Sequence, residues 1–291
     1  MRRHIAPNRR SRRRRIVVAL GLAALCVQSA ESVAQQKVEQ TDTARAHAQT
    51  QAPFFTRKDA YLAGGFALGT VALFPLDKHI ATRLLDSSAQ ANRFFKHSAT
   101  GLELIASPGA YVIGGTLYVV GELAHQPRVA DLGWHGTEAV LFGDGVTYLI
   151  KGIAGRARPA LSLGTDPTSW RAGKGFTSGD WSSFPSGHTT TAFAAAAAVT
   201  NETTRWWPRS TWIVGPLMYA GATGVGLSRM YHDRHWGSDV VLGAAIGTFS
   251  GRKVVQYAHG HPHNLFDRFI LRTSVLPDGH GGAIVGVSVD P

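Results

Sequence analysis

Long apolar segments rich in glycine and alanine recur along the chain, separated by shorter polar stretches. They lie at about residues 60–76, 105–124, 136–151, 187–201, 210–228 and 236–255. These segments are too long for strands and lack an alternation of period two, so they predict six helices. Pro108, Pro159 and Pro185 punctuate them, as expected of a residue that interrupts helices. The pattern therefore predicts an all-α fold, a helical bundle of about six core helices within residues 59–258.

The pattern changes towards the C-terminus. Phe269–Leu276 and Ala283–Asp290 are β-prone runs, and the residues between them are typical of a turn. We therefore expect a small β-hairpin within a C-terminal extension, residues 259–291. A long loop rich in glycine, serine and threonine, Leu161–Phe184, separates the third and fourth predicted helices. Loops of this length without regular structure are often functional.

The N-terminal segment has the order of a secretory signal. An arginine-rich stretch precedes the apolar run Ile16–Val27, and the small residues Ser32, Val33 and Ala34 follow. Residues 1–34 are therefore predicted to be a signal peptide cleaved after Ala34, and residues 35–58 a linker. An uncleaved anchor is the alternative. We accordingly expect export to the periplasm or cell envelope, with association with the inner membrane left open.

Charge and cysteine content exclude several classes of protein. Residues 1–34 hold eight arginines and one acidic residue, so most of the net charge of +11 lies there. The remainder is only weakly basic, and no nucleic-acid partner is expected. Cys26 is the single cysteine, which excludes a disulfide scaffold and a cysteine-rich metal site.

The first of three clusters with candidate chemistry lies near the end of the third predicted helix. Lys151 and Arg158 stand seven residues apart, and Pro159 follows at once. Seven residues are two helical turns, so both cations are predicted to project from one face of a helix that Pro159 terminates. Two fixed cations suit an anion with several oxygens. The alternative is a solvated basic helix end.

The second cluster, Pro185-Ser186-Gly187-His188, opens the fourth predicted helix. Ser186 is a favourable N-cap, and Gly187 lets a ligand approach the backbone closely. The free N–H groups of a helix N-terminus form a natural phosphate site, which His188 in the first turn can reach. The alternative is a simple capped helix with an incidental histidine.

The third cluster is Ser228-Arg229 followed by His235 and Asp239. His235 and Asp239 are four residues apart, so on a helix the carboxylate can bond one imidazole nitrogen and leave the other facing the site. A histidine oriented in this way serves as a nucleophile or base. The alternative is an ordinary surface pair. In an up-and-down bundle the helix ends that carry all three clusters lie on one side, so the clusters are predicted to converge.

The three clusters resemble the signature of the superfamily of type 2 phosphatidic acid phosphatases and vanadium-dependent haloperoxidases. That signature is Lys-x6-Arg-Pro, Pro-Ser-Gly-His and Ser-Arg-x5-His-x3-Asp, and the chain matches every position. The resemblance implies a helical bundle that hydrolyses phosphomonoesters or diphosphates, lipid or soluble, through a phosphohistidine. It implies His235 as the nucleophile, Asp239 as its partner and His188 as acid and base. It further implies five phosphate ligands, namely Lys151, Arg158, Ser186, Gly187 and Arg229.

The resemblance leaves two alternatives open. A vanadium-dependent haloperoxidase would use the same pocket to hold vanadate as a cofactor, whereas a phosphatase would be inhibited by vanadate and need no cofactor. An alternative of another class is a non-catalytic, phosphate-binding envelope protein. The expected partner of the enzyme is a phosphorylated small molecule or lipid, and its oligomeric state is left open.

Two further features concern metals and membranes. His259, His261 and His263 form an alternating run, which is interpreted as a polar loop because no carboxylate or cysteine completes a ligand set, so no metal ligand is assigned. The mean hydropathy of −0.04 is low for six membrane spans. Glu138 and Asp144 in the third predicted helix would be costly in lipid. We therefore expect a periplasmic bundle that is released without detergent.

Overall fold

The computed structural model describes residues 54–261 and the two segments 273–277 and 283–287. The helices of the larger part are α1 (Arg57–Leu73), α2 (Asp77–Leu84), α3 (Ser87–Gln90), α4 (Arg93–Leu104), α5 (Ala110–Leu123), α6 (Pro127–Ala154), α7 (Gly187–Trp206), α8 (Thr211–Tyr231) and α9 (Gly237–Gly260). The predicted signal peptide, and the predicted linker up to residue 53, lie outside the described residues.

Six of these helices, α1 and α5 to α9, have 14 or more residues and follow the order of the six predicted segments. The all-α core is thus confirmed. Helices α2, α3 and α4, between the first two predicted segments, were missed. α1 begins inside the predicted linker, where the Thr56 hydroxyl accepts from the Asp59 N–H. α5 begins only at Ala110, because Pro108 in the preceding π-helical turn has no N–H to donate.

Helix α7 lies at the centre of the bundle and packs against α6, α8 and α9. A stripe of glycines four residues apart allows α9 to approach it closely. A Cβ atom at Gly243 would lie 2.5 Å from the backbone oxygen of Ser186. At Gly247 and Gly251 it would lie 2.3 and 2.4 Å from backbone oxygens of α7. This contact holds the beginning of α7 beside the beginning of α9, where two of the three sequence clusters lie.

The fold-class prediction is corrected at the C-terminus. It counted a small β-hairpin as part of the fold, whereas the regular elements of residues 54–261 are all helices and include no β-strand. Beyond them, β1 (Thr273–Pro277) and β2 (Ala283–Val287) pair antiparallel with each other. A two-stranded ribbon is marginally stable by itself, and the main contacts of the domain are between helices. The fold is therefore that of the helical bundle alone.

Apolar side chains cover much of the outside of this bundle. Two stretches, Arg57–Leu84 and Lys96–Leu123, are long and apolar enough to cross a membrane. In their most apolar windows only 11 % and 17 % of the residues are buried, whereas the core helix of a water-soluble protein would be mostly buried. Exposed apolar side chains continue on α6 and α8, where Phe142 is 59 % and Trp212 is 85 % exposed.

Candidate phosphate-binding active site

Two consecutive serines of the long loop bring the first and third sequence clusters together. The Lys151 ammonium donates to the backbone oxygen of Ser182 at 2.7 Å, and Nη2 of Arg158 donates to the Ser182 hydroxyl at 3.1 Å. Nδ1 of His235 lies 2.7 Å from the backbone oxygen of Ser183. The end of the long loop therefore holds two predicted phosphate ligands and the predicted nucleophile in one place.

Arg158 reaches this place by another route than the one predicted. α6 ends at Ala154 because Gly155 turns the chain with a φ of 57°, and a Cβ there would lie 1.7 Å from a backbone oxygen of the loop. The backbone is extended at Arg158, and its N–H donates to the loop at 2.9 Å. The prediction that Lys151 and Arg158 share one helix face is wrong, although both side chains arrive at the same serine.

The N-terminus of α7 forms the second part of the site. Ser186, the N-cap residue, is fully buried, and its hydroxyl accepts from the Thr189 hydroxyl at 2.8 Å. A Cβ built on Gly187 would lie 3.6 Å from Cε of Lys151. The first turn of the helix is therefore next to the Lys151 side chain. His188 follows in that turn and is half-buried.

Arg229, near the end of α8, pairs with an acid that the sequence reasoning missed. Its Nη1 lies 2.5 Å from Oε1 of Glu103 in α4, and Nδ1 of His232 lies 2.6 Å from the same oxygen. Within residues 54–261, the Nε atoms of Arg158 and Arg229 are buried and make no hydrogen bond. A buried donor without an acceptor is costly, and a bound anion with several oxygens would supply the missing acceptors.

His235 is buried in a state suited to nucleophilic attack. A backbone carbonyl can only accept, so the contact with Ser183 assigns the ring proton to Nδ1 and leaves Nε2 unprotonated. Burial holds the pKa of His235 well below its ordinary value, and the charges of Lys151, Arg158 and Arg229 lower it further. His235 is therefore neutral at neutral pH, as a nucleophilic imidazole must be.

Asp239 does not bond His235 directly. His235 lies just before α9, so the two residues do not share a helix, and Oδ2 of Asp239 is 3.7 Å from Nδ1 of the ring. The carboxylate instead accepts from the Ser183 hydroxyl at 2.5 Å and from the Trp236 N–H at 2.9 Å. Ser183 thus links the two, because its carbonyl oxygen holds the ring and its hydroxyl bonds the carboxylate.

Arg156, which the sequence reasoning also missed, lies fully buried behind the site. Its Nη1 bonds Asp239 at 2.5 Å and the Ser238 hydroxyl at 2.7 Å, and its Nη2 bonds Asp77 at 2.8 Å. Four aromatic rings surround its Cζ atom at 4.9 to 6.0 Å, those of Phe74, Trp170, Trp236 and Phe184. The only signal in the sequence is its place between Lys151 and Arg158.

The aromatic residues of the long loop are used for packing. Trp170 and Phe184 contact each other and Phe74 just after α1, with ring centroids 5.3 to 6.3 Å apart. Phe176 packs on Tyr148 of α6 at 5.8 Å. The loop is therefore fixed to the helices at the point where its two serines meet the predicted site residues.

The class of protein to which this site corresponds is indicated by comparison with known families. Residues 133–261 match the family model of the PAP2 superfamily. This matching part of the chain contains all eight predicted site residues. The resemblance inferred from the three sequence clusters is confirmed.

More particular likenesses are local or weak. A segment of 71 residues is 45 % identical to lipid A 1-phosphatase from Porphyromonas gingivalis, and it covers 24 % of this chain and 15 % of that protein. A crystal structure of a transmembrane PAP2 type phosphatidylglycerolphosphate phosphatase from Bacillus subtilis is similar at 18 % identity. It covers 68 % of this chain and 98 % of that one, with a TM-score of 0.32, which is too low to support a structural argument.

The buried guanidinium gives a prediction about stability. Arg156→Met should lower the thermal unfolding midpoint strongly, since it leaves the carboxylates of Asp77 and Asp239 buried without a counter-charge, at a cost of about 3–5 kcal/mol. Arg171→Met is the matched control, because Arg171 is exposed and stacks over Trp181. Thermal unfolding of the purified variants measures both, and an unchanged midpoint in Arg156→Met would contradict the role assigned to this residue.

Proposed function

We propose that this protein is a phosphatase that hydrolyses a phosphorylated lipid through a phosphohistidine formed on His235. The observation that carries the proposal is a neutral imidazole with one nitrogen fixed by Ser183 and with its pKa lowered by burial and by three nearby cations. The match of residues 133–261 to the PAP2 family model and the local identity to a lipid A 1-phosphatase support this proposal.

In the proposed first step, Nε2 of His235 attacks phosphorus as the bond to the leaving oxygen breaks. The ring then carries a positive charge, while its Nδ1–H continues to donate to Ser183. The carboxylate of Asp239, 3.7 Å away, stabilises this charge without a direct hydrogen bond. The arrangement keeps the ring in one orientation throughout the reaction.

The cations of the site bind the phosphate in this scheme. Lys151, Arg158 and Arg229 contact the non-bridging oxygens, joined by Ser186 and the N–H of Gly187 at the start of α7. Phosphoryl transfer depends mainly on positioning and on neutralising charge, which these groups provide. We therefore propose a reaction without a cofactor.

His188 is the proposed general acid. Burial lowers its pKa to about 4, and the positive charges of Arg229, Lys151 and Arg158 contribute. A bound phosphate offsets these charges and raises the pKa of His188 again, so that the residue gains a proton when substrate is present. It can then protonate the leaving oxygen, and as the neutral base it accepts a proton from the water that attacks the phosphohistidine.

An apolar groove supports a lipid substrate. It lies between α4, α5, α6, α7 and α8, has a volume of about 350 Å³, and is lined by side chains that include Leu102, Ile113, Leu117, Met218 and Val225. Leu102, which lines the groove, directly precedes Glu103, the partner of Arg229. An acyl chain would fit such a lining, whereas a soluble phosphomonoester would leave it unused.

The apolar exterior supports an enzyme embedded in a membrane. Arg57–Leu84 and Lys96–Leu123 are the proposed crossing segments. The expectation of release without detergent relied partly on Asp144, which the structure places inside the bundle, where it accepts from Tyr111 at 2.5 Å and from Thr191 at 2.9 Å. We propose an integral membrane protein and retain export to the cell envelope as part of the proposal.

The first test concerns the chemistry. His235→Ala should abolish phosphate release from p-nitrophenyl phosphate and from lipid phosphates, and His188→Ala should lower kcat about 10²–10⁴-fold. Orthovanadate should inhibit competitively, because its adduct with His235 resembles the transition state. His79→Ala, on the exposed side of α2, is the control. Near-normal turnover in His235→Ala would contradict the mechanism, and vanadate-dependent bromide oxidation would favour the haloperoxidase.

The second test concerns the groove. A Cβ on Gly221, which lines the groove, would have no neighbour within 4 Å, so Gly221→Leu should fill the groove without a clash. We expect KM for a lipid phosphate in mixed micelles to rise roughly tenfold, with turnover of p-nitrophenyl phosphate unchanged. Gly145→Leu, equally open but on another face, is the control. An equal change for both substrates would argue against an acyl site.

The third test concerns the membrane. In fractionated cells the protein should remain in the membrane after a carbonate wash and should require detergent for extraction, because its crossing segments expose apolar side chains. A periplasmic marker protein in the same cells controls for incomplete release. Recovery of this protein in the soluble fraction without detergent would restore the expectation drawn from mean hydropathy.

A further inference from the structure

A second polar cluster lies in the bundle at the end remote from the phosphate site. It consists of His135 in α6, Glu202 in α7 and His259 in α9. Nδ1 of His135 lies 2.6 Å from Oε1 of Glu202, and Nε2 of His259 lies 2.9 and 3.0 Å from its two oxygens. Glu202 is fully buried, while His135 and His259 are 3 % and 12 % exposed at their side chains.

The chemistry of these groups points to a cation. A carboxylate in a helical interior needs an opposite charge, and two imidazoles from two other helices turn a nitrogen towards it. The second carboxylate oxygen also accepts from the indole N–H of Trp206 at 3.0 Å. An outer hydrogen bond of this kind orients a carboxylate ligand in metal sites.

We propose that His135, Glu202 and His259 bind one divalent transition-metal ion, such as Zn²⁺. Two imidazole nitrogens and one carboxylate oxygen form a ligand set typical of zinc, with a fourth position open to water. Ligand atoms around a tetrahedral zinc are ~3.3 Å apart. The three ligand atoms already lie within 4.8 Å of one another, so small side-chain movements suffice. Binding releases the N–H protons that now face the carboxylate.

This site takes no part in phosphate hydrolysis. Lys151, on the same helix as His135, lies 16 residues further on, about 24 Å along an α-helix. The ion would instead join α6, α7 and α9 and add its binding free energy to the stability of the folded bundle. In the sequence His259 seemed to lack a carboxylate partner. Glu202 supplies it from 57 residues earlier.

The experiment uses the full chain purified in detergent and stripped of metal with a chelator. Titration with Co²⁺ should give a saturable absorption change at one equivalent, reversed by Zn²⁺, and Zn²⁺ should raise the thermal unfolding midpoint. These readouts do not depend on phosphatase activity.

Variants locate the ion. His259→Ala and Glu202→Gln should each abolish the saturable binding of one equivalent of Co²⁺. In both variants Zn²⁺ should no longer raise the thermal unfolding midpoint. His261→Ala should keep both, because the His261 ring stacks on Tyr257 outside the cluster. The wild-type titration decides the matter even where a variant fails to fold. Absence of saturable binding in the wild type, or unchanged binding in a folded His259→Ala variant, would overturn the proposal and leave a hydrogen-bonded network.

Discussion

The geometry of the phosphate site depends on a guanidinium buried between two carboxylates. Arg156 joins Asp77, which follows α1, to Asp239, in the first turn of α9. Moving such groups out of water costs several kcal/mol for each ion, and their attraction compensates only if nearly every lone pair and proton is satisfied. Ser238 and Ser183 complete this requirement by bonding the carboxylates.

The same network determines the position of His235 without touching any substrate. Ser183 is held by Asp239, and its carbonyl oxygen in turn holds the imidazole. A displacement of α1 or of the long loop would therefore be transmitted to the reactive nitrogen. Among the described residues, the proposed phosphate ligands Arg158 and Arg229 each keep a buried Nε–H without an acceptor, whereas the hydrogen-bonding groups of Arg156 behind them are paired.

The sequence was sufficient to predict the long helices and to single out the three clusters that compose the candidate site. Apolar segments of this length predict helices, and the three clusters are specific as a set. The path of the chain after α6 was not predictable in this way, because it depends on the left-handed turn at Gly155 and on its fit to the loop. Two ion pairs of the site are tertiary contacts that leave no periodic signal in the sequence. They join Arg156 to Asp77, 79 residues away, and Arg229 to Glu103.

The outer surface shows a second limit of sequence reasoning. Helices rich in glycine and alanine are apolar on several faces, so periodicity does not distinguish a face that packs on a neighbour from one that faces lipid. The distinction follows from packing: the glycine stripe of α9 turns to α7, while large side chains such as Trp212 turn outwards. Acids inside the bundle, such as Asp144, find hydroxyl partners there.

The direction of α1 has a consequence for the side of a bilayer on which the proposed reaction would take place. Asp59, in its first turn, bonds Lys253 in the second half of α9, whereas Asp77, just beyond its end, bonds Arg156 behind the site. The N-terminal end of α1 and the C-terminal half of α9 therefore lie on the face of the bundle remote from the candidate site. In a bilayer, the proposed reaction would therefore take place on the side opposite to the residues that lead into α1.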